Sequence, residues 1–291
     1  MGYYLARQKL KVYNMKTCDL HAHTAYSDGT FSPKELIDEA VKVGLSAIAV
    51  TDHNTIDAVE EFLFYAEKNN IEGIAGVEFS TDYKETELHI LALGIPKDKL
   101  QAVDDWAKTL RERKENCNRK MIESLRLAGY DISYEEIRKT VKGTMNRAHI
   151  GYALYEKGYV SSVQETFDTI LSKNGKHYLS VKRLDVFETI RFIKSIGAVA
   201  VHAHPFLDLD EKELREFLVK AKECGLDGME TVYSTYDEET TLLAKKIASE
   251  FGLKESGGSD FHGFRKPHIS LGKGMGNLII PYEFWENLKR G

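Results

Sequence analysis

Short apolar runs rich in β-branched residues alternate along the chain with stretches whose apolar positions return every three to four residues. Runs at 17–21, 47–51, 71–78, 88–93, 198–202, 228–232 and 254–257 read as strands, and the amphipathic stretches between most of them read as crossover helices. That order predicts a parallel-stranded α/β fold with helices covering the sheet, here a seven-stranded barrel.

Helix starts are written locally. Ser32-Pro33-Lys34-Glu35 joins an N-cap serine, a proline in the first turn and a glutamate three residues on, which predicts a helix running to Val43 and ended by Gly44. Ser133 with Glu136, Ser162 with Glu165 and Asp185 with Glu188 repeat the spacing. Between 100 and 184 the strands stop, and helices are expected near 100–128, 134–142, 147–157 and 162–172. A helical block inserted into a βα rhythm reads as a cap over one barrel end. The expected organisation is therefore a barrel from 15–99 and 185–291, a cap of 100–184, and an N-terminal extension of 1–14. The extension is basic and tyrosine-rich, and reads either as a flexible or non-native lead-in or as an ordered edge segment.

Composition narrows the classes. A hydrophobic content of 42% in 291 residues is ample for a buried core. No apolar run approaches the length of about 18 residues that suggests a membrane span, and the start of the chain lacks an apolar signal core, so the expected location is the cytoplasm. Cys18, Cys117 and Cys224 are far apart and include no CxxC pair, which argues against a disulfide framework or a thiolate zinc site. A net charge of −5 disfavours broad binding to long duplex nucleic acid but leaves room for small anions held by metals and a few cations.

The chemistry lies at the strand ends. In Asp19-Leu20-His21-Ala22-His23 the two imidazoles are two residues apart, so on an extended chain they share a face. Asp28 follows, and His53, Glu78, His89, His204, Asp260 and His262 lie in or just after later strands. Catalytic groups of α/β barrels collect at the carboxyl ends of strands. Six histidines and three carboxylates without a thiolate suit Zn²⁺, Mn²⁺ or Fe²⁺ rather than calcium. Nine ligands exceed what one tetrahedral ion uses, so two or three ions are expected, with Glu78 as a bridge. Asp19 and Asp52 read as neighbours that orient ligands, His202 as structural, and His177 as surface.

The pieces DLHAHTAYSDGT, VTDHNT, GVEFS, ELHILALG, VHAHP and GGSDFHG, in this order, resemble the PHP family, named for polymerase and histidinol phosphatase. The resemblance implies a distorted, TIM-like (β/α)₇ barrel with a trinuclear metal site on His21, His23, Asp28, His53, Glu78, His89, His204, Asp260 and His262. It implies one ion on His21, His23, Glu78 and Asp260, a second on Glu78, His89 and His204, and a third on Asp28, His53 and His262. The helical insertion is similar to that of the stand-alone subgroup that removes the 3′-phosphate from nucleoside 3′,5′-bisphosphates and trims short RNA from its 5′ end. That subgroup carries an R-x-H segment, matched by Arg147-Ala148-His149, with alanine where proline is commoner.

On this reading the nucleophile is a hydroxide held between two ions, and no protein side chain attacks phosphorus. Arg147 would hold phosphate oxygens in a guanidinium fork. Lys182 and Arg183 would hold a second phosphate, and His149 would hydrogen-bond the substrate or donate a proton. The substrate is a small nucleotide or short oligonucleotide. Histidinol phosphate phosphatase is the enzymatic alternative; a metal-binding accessory module of the kind attached to DNA polymerases is the alternative of another class.

Overall fold

The computed structural model describes residues 16–141, 143, 145–173 and 175–290, so the extension 1–14 lies outside the described residues. Eight strands are present: β1 Cys18–Asp19, β2 Ala47–Val50, β3 Glu72–Tyr83, β4 Thr86–Leu93, β5 Leu184–Asp185, β6 Val199–His202, β7 Gly228–Tyr233 and β8 Lys254–Gly258. The helices are α1 Pro33–Val43, α2 Val59–Lys68, α3 Leu100–Leu127, α4 Tyr134–Thr140, α5 Arg147–Glu156, α6 Val163–Asp168, α7 Val186–Ser195, α8 Glu211–Glu223, α9 Glu238–Glu250 and α10 Glu283–Leu288. The four capping signals act as their chemistry requires. Ser32, Ser133, Ser162 and Asp185 each accept a hydrogen bond from the backbone N–H three residues on. Gly44 ends α1 at φ 83°, a left-handed conformation that glycine adopts without steric cost.

The sheet runs β1-β2-β3-β4-β6-β7-β8, with β5 paired to the far half of β3. Leu20 N–H donates to Gly257 O (3.2 Å), His23 N–H to Phe261 O (2.9 Å) and Asp260 N–H to His21 O (2.8 Å). These bonds tie the first strand to the last and nearly close a barrel.

The seven expected strands make up that path, and the two-residue β5 lies off it. One expectation is corrected: the sheet is not wholly parallel, because β4 is antiparallel to both β3 and β6. The cause is the Lys84-Glu85 turn, whose residues both take positive φ (51° and 69°), as a two-residue hairpin of the right twist requires. With no Asn-Gly or Asp-Gly there, the reversal has no signature in the sequence. The hairpin also carries β3 five residues beyond Glu78, where the sequence reading ended it. Because β4 is reversed, its first residues lie where the parallel strands finish, and Ser80 pairs with His89.

Alternation along β2 divides the core. Ala47 and Ala49 face a cluster with Leu20, Ile74, Leu91, Leu93 and Val201, whereas Ile48 and Val50 join Phe62, Phe79, Ile190 and Phe217 beneath the helices. A third cluster, among them Met121, Leu125, Ile137, Ile150, Leu154 and Leu171, belongs wholly to the helical insertion. Helix α3 serves two cores, since Leu100, Val103 and Ala107 pack with the barrel and Met121, Ile122 and Leu125 with the insertion. No described helix is long and apolar enough to cross a membrane.

Candidate functional site

The strand ends and the loops after them bring all nine expected ligands into one cluster, buried except at His53 and His89, which are partly exposed. His21 and His23 follow β1 on extended backbone, and their Nε2 atoms lie 3.1 Å apart. Glu78, in the middle of β3, is the hub. Its Oε2 lies 3.3 Å from His21 Nε2, 3.2 Å from His23 Nε2 and 3.0 Å from His53 Nδ1. Its Oε1 lies 2.8 Å from His89 Nδ1 and 3.3 Å from His204 Nε2. Asp260 Oδ1 faces His23 Nε2 at 3.3 Å and His262 Nδ1 at 3.3 Å, while Asp28 Oδ1 is 3.2 Å from His262 Nε2.

Four overlapping groups have ligand atoms within 4.8 Å of one another: His23, Asp28, His53 and His262; His21, Glu78 and His204; His21, His23 and Asp260; His53, Glu78 and His89. Divalent cations fit this donor set. Asp28 Oδ1, His53 Nδ1 and Glu78 Oε2 are buried without a hydrogen-bond partner, a costly condition that a bound cation removes. His204 and Asp260 themselves sit at φ 31° and 54°, left-handed backbone that is rare for such residues and gathers at functional sites.

Burial alone would lower His89 and His23, but neighbouring carboxylates outweigh it. Glu78 and Glu87 raise His89 to about 10, and Asp260, Glu78 and Asp28 raise His23 to about 9. Burial lowers His53 to about 3 despite Glu78 and Asp28. Burial works against ionising Glu78, yet the imidazoles of His53, His89 and His21 hold its carboxyl well below the usual range.

Asp19 accepts hydrogen bonds from the N–H groups of Ser259 and Gly272, fixing the loop that carries Asp260. Asp52 accepts from Thr24 N–H and Oγ1. His202 packs on Phe217 at 4.9 Å, and His177 is tied to Ser124 Oγ at 2.8 Å.

Sequence reasoning missed Glu230. This fully buried carboxylate lies 3.1 Å from His21 Nδ1 and accepts the His204 N–H at 2.7 Å. In the neutral imidazole that a cation would need, this contact favours the tautomer protonated on Nδ1, which frees Nε2 for the ion. A carboxylate inside an otherwise apolar strand was the available signal. Glu230→Gln should weaken Mn²⁺ binding by about 10- to 100-fold with the fold retained. Calorimetric titration of chelated protein checks this, and an undiminished affinity would mean that the tautomer is set elsewhere.

Beside the cluster, between barrel and insertion, lies a cavity of about 400 Å³ lined in part by His53 and His89. Lys114, Arg147 and Arg183 form its cationic wall; Met121, Phe167, Leu171 and Tyr178 form its apolar side. Arg183 donates to Glu87 Oε2 at 2.6 Å, Arg147 Nη2 stands 3.7 Å from the same oxygen, and Glu87 Oε1 is 3.6 Å from His89 Nε2. One carboxylate thus bridges the cationic wall and a ligand of the cluster. Burial lowers the Lys114 ammonium, whose Nζ donates to Ser80 Oγ at 2.7 Å.

The four expected substrate residues divide. Arg147 and Arg183 line the cavity, and Lys182 is exposed outside its wall. His149 is buried behind that wall. Its Nδ1 accepts from Asn146 N–H in a capping box, and its Nε2 is 3.1 Å from Arg265 Nη1. Burial, helped by Arg265, lowers its pKa to about 4. Lys114 was not foreseen, since it is one cation among many on a charged helix.

Residues 19–183 match the PHP domain family. A 5′-3′ exoribonuclease of Haemophilus influenzae is 32% identical over 274 residues, spanning 93% of this chain and 98% of that protein. A 3′,5′-nucleoside bisphosphate phosphatase of Chromobacterium violaceum is 27% identical, spanning 85% of this chain and 88% of that one. The crystal structure of a metal-dependent phosphoesterase from Bifidobacterium adolescentis matches with a TM-score of 0.82 at 26% identity, covering 94% and 95% of the two chains.

Proposed function

This chain belongs to the PHP family of metal-dependent phosphoesterases, and from that premise we propose that it removes the 3′-phosphate of nucleoside 3′,5′-bisphosphates and, by the same bond cleavage, trims short RNA from the 5′ end. The observation that carries the reading is the cationic cavity adjoining the nine-residue cluster. A phosphoester placed at the cluster has Lys114, Arg147 and Arg183 beside it for a second phosphate, and Phe167 and Tyr178 for a ribose and base.

Two or three Mn²⁺, Fe²⁺ or Zn²⁺ ions suit the donor set. Glu78 would hold ions from both sides, because each of its oxygens faces a different set of imidazoles. Such ions would supply Lewis-acid stabilisation of phosphoryl oxygens and a water of near-neutral pKa. The protein's own residues do the rest. Arg147 and Arg183 hold the non-reacting phosphate, Glu87 keeps Arg183 in place, and Glu230 holds His21. Water adds to phosphorus, the P–O3′ bond breaks, and a proton passes to the departing ribose oxygen. In a bisphosphate the product is inorganic phosphate. In RNA the same cleavage releases a 5′-mononucleotide and leaves a 5′-phosphate on the shortened chain.

Phosphate release from adenosine 3′,5′-bisphosphate, with histidinol phosphate as the comparison substrate, tests the reading. Full activity in chelated protein ends it. Arg147→Ala should lower kcat/KM on the bisphosphate by roughly 10- to 1,000-fold, the scale of a lost charge-assisted phosphate contact. Its melting temperature should hardly move, because the Arg147–Glu87 pair is long and a third of the arginine is exposed. Unchanged kinetics would remove Arg147 from the site.

A further inference from the structure

Helix α5 divides the surroundings of the cluster in two. Its N-cap Asn146 and first residues Arg147 and Ala148 line the cavity. His149 and Tyr152 instead meet the loop that follows His262. There Arg265 Nη1 donates to the Asp28 carbonyl at 2.9 Å, and the guanidinium carbon lies 5.7 Å from the centre of the Tyr152 ring.

On this second side the chain presents aromatic surface to solvent. Phe264 is 80% exposed, its ring is 5.6 Å from that of Phe31, and its N–H donates to Thr30 Oγ1 at 2.9 Å. Tyr152 and Tyr155 are exposed, with ring centres 6.2 Å apart. Lys266 donates to Asp260 Oδ2 at 2.6 Å while more than a third of its side chain remains accessible, so its ammonium stands between the cluster and solvent. Exposed rings and two cations therefore lie within a few residues of Asp28, Asp260 and His262.

We propose that this rim is a stacking subsite for the nucleotide beyond the scissile phosphate of a short single-stranded oligonucleotide. The inference rests on the phosphoesterase reading above, with the 5′-terminal nucleotide in the cavity. At about 400 Å³ that cavity is near the small end of ligand sites and suits one nucleotide. The rest of a longer substrate leaves across the other face of α5. There its backbone meets Arg265 and Lys266, and its next base meets Phe264 or Tyr152. Stacking on an aromatic ring accepts any base, and the neighbouring cations complement the polyanion, whereas a mononucleotide reaches neither.

The test uses 5′-phosphorylated oligoadenylate of five nucleotides. Its binding to chelated protein is read by fluorescence anisotropy, and its hydrolysis by metal-loaded protein is compared with that of adenosine 3′,5′-bisphosphate. Phe264→Ala should raise the Kd for the oligonucleotide about 10-fold, the scale of one lost base stack. It should lower the ratio of oligonucleotide to bisphosphate kcat/KM to a similar extent through KM, and Phe264→Trp should restore both. Equal Kd and equal ratio for Phe264→Ala and the parent protein overturn the rim. So does a parent protein that hydrolyses the bisphosphate but neither binds nor cleaves the oligonucleotide. A protein that binds the oligonucleotide through Phe264 yet hydrolyses neither substrate keeps the rim and loses the phosphoesterase reading.

Discussion

Glu78→Gln should lower phosphoester turnover by on the order of 10³-fold or more and reduce the number of bound cations, the largest loss expected from any single conservative change. The amide keeps the size of the carboxylate but removes its charge and one of its two acceptor oxygens. Those oxygens face five imidazoles: His21, His23 and His53 from one side, His89 and His204 from the other. Glu230 also meets both sides, but through the outer nitrogen of His21 and the backbone N–H of His204, so it cannot replace Glu78 between the imidazoles. The Glu78 side chain is buried and makes no contact with solvent that would screen the change. Elemental analysis beside phosphate-release kinetics measures both effects. A loss of tenfold or less, with full metal content, would sink the assignment of Glu78 as the bridge.

What the sequence made legible is what depends on neighbours in the chain. The caps at Ser32, Ser133, Ser162 and Asp185 are satisfied within three residues. The shared face of His21 and His23 follows from the two-residue repeat of extended backbone. The gathering of the nine candidate residues follows from their places at or just after strand ends, because a barrel brings those ends together whatever the helices between them do. Reversal of β4 was not legible, since Lys84 and Glu85 carry no preference for the left-handed backbone they adopt. Glu87 and Lys114 escaped for a related reason. A charged residue on a strand edge or a polar helix reads as solvated until the insertion folds back and encloses it. Lys182 and Arg183 are adjacent and identical in charge, yet only Arg183 turns inward, where Glu87 receives it. That choice is made by a partner 96 residues away, which local pattern cannot see.

The second large effect is on stability, and its sign follows from which histidines hold protons when no cation is present. His89 is raised to about 10 and His23 to about 9, and His21 also stands well above its usual value, held up by Glu78, Glu230 and Asp260 against the opposing pull of burial. A histidine whose folded pKa is raised contributes stability that is complete below its unfolded value near 6.5 and is lost as pH climbs toward 9 to 10. His53 and His202, both lowered to about 3 by burial, and His149, lowered to about 4, behave in the opposite way. Their contribution is complete above about 6.5 and is lost as pH falls through 4 to 3. Chelated protein should therefore be most stable near pH 6.5, roughly the unfolded value of histidine, and melt lower on either side. The alkaline fall should amount to about 5–10 °C between roughly pH 7 and 9, because a tenfold difference in proton affinity between folded and unfolded chain is worth about 1.4 kcal/mol. Divalent cations compete with those same protons for His23, His89 and His21. Loading with Mn²⁺ should thus abolish the alkaline fall, and binding of the metal near neutral pH should release protons. Paired melting curves from about pH 5 to about pH 9.5, with and without chelator, decide the matter. Parallel curves separated by a constant interval would show that the cations do not replace protons on these imidazoles, and would remove the cluster as their site.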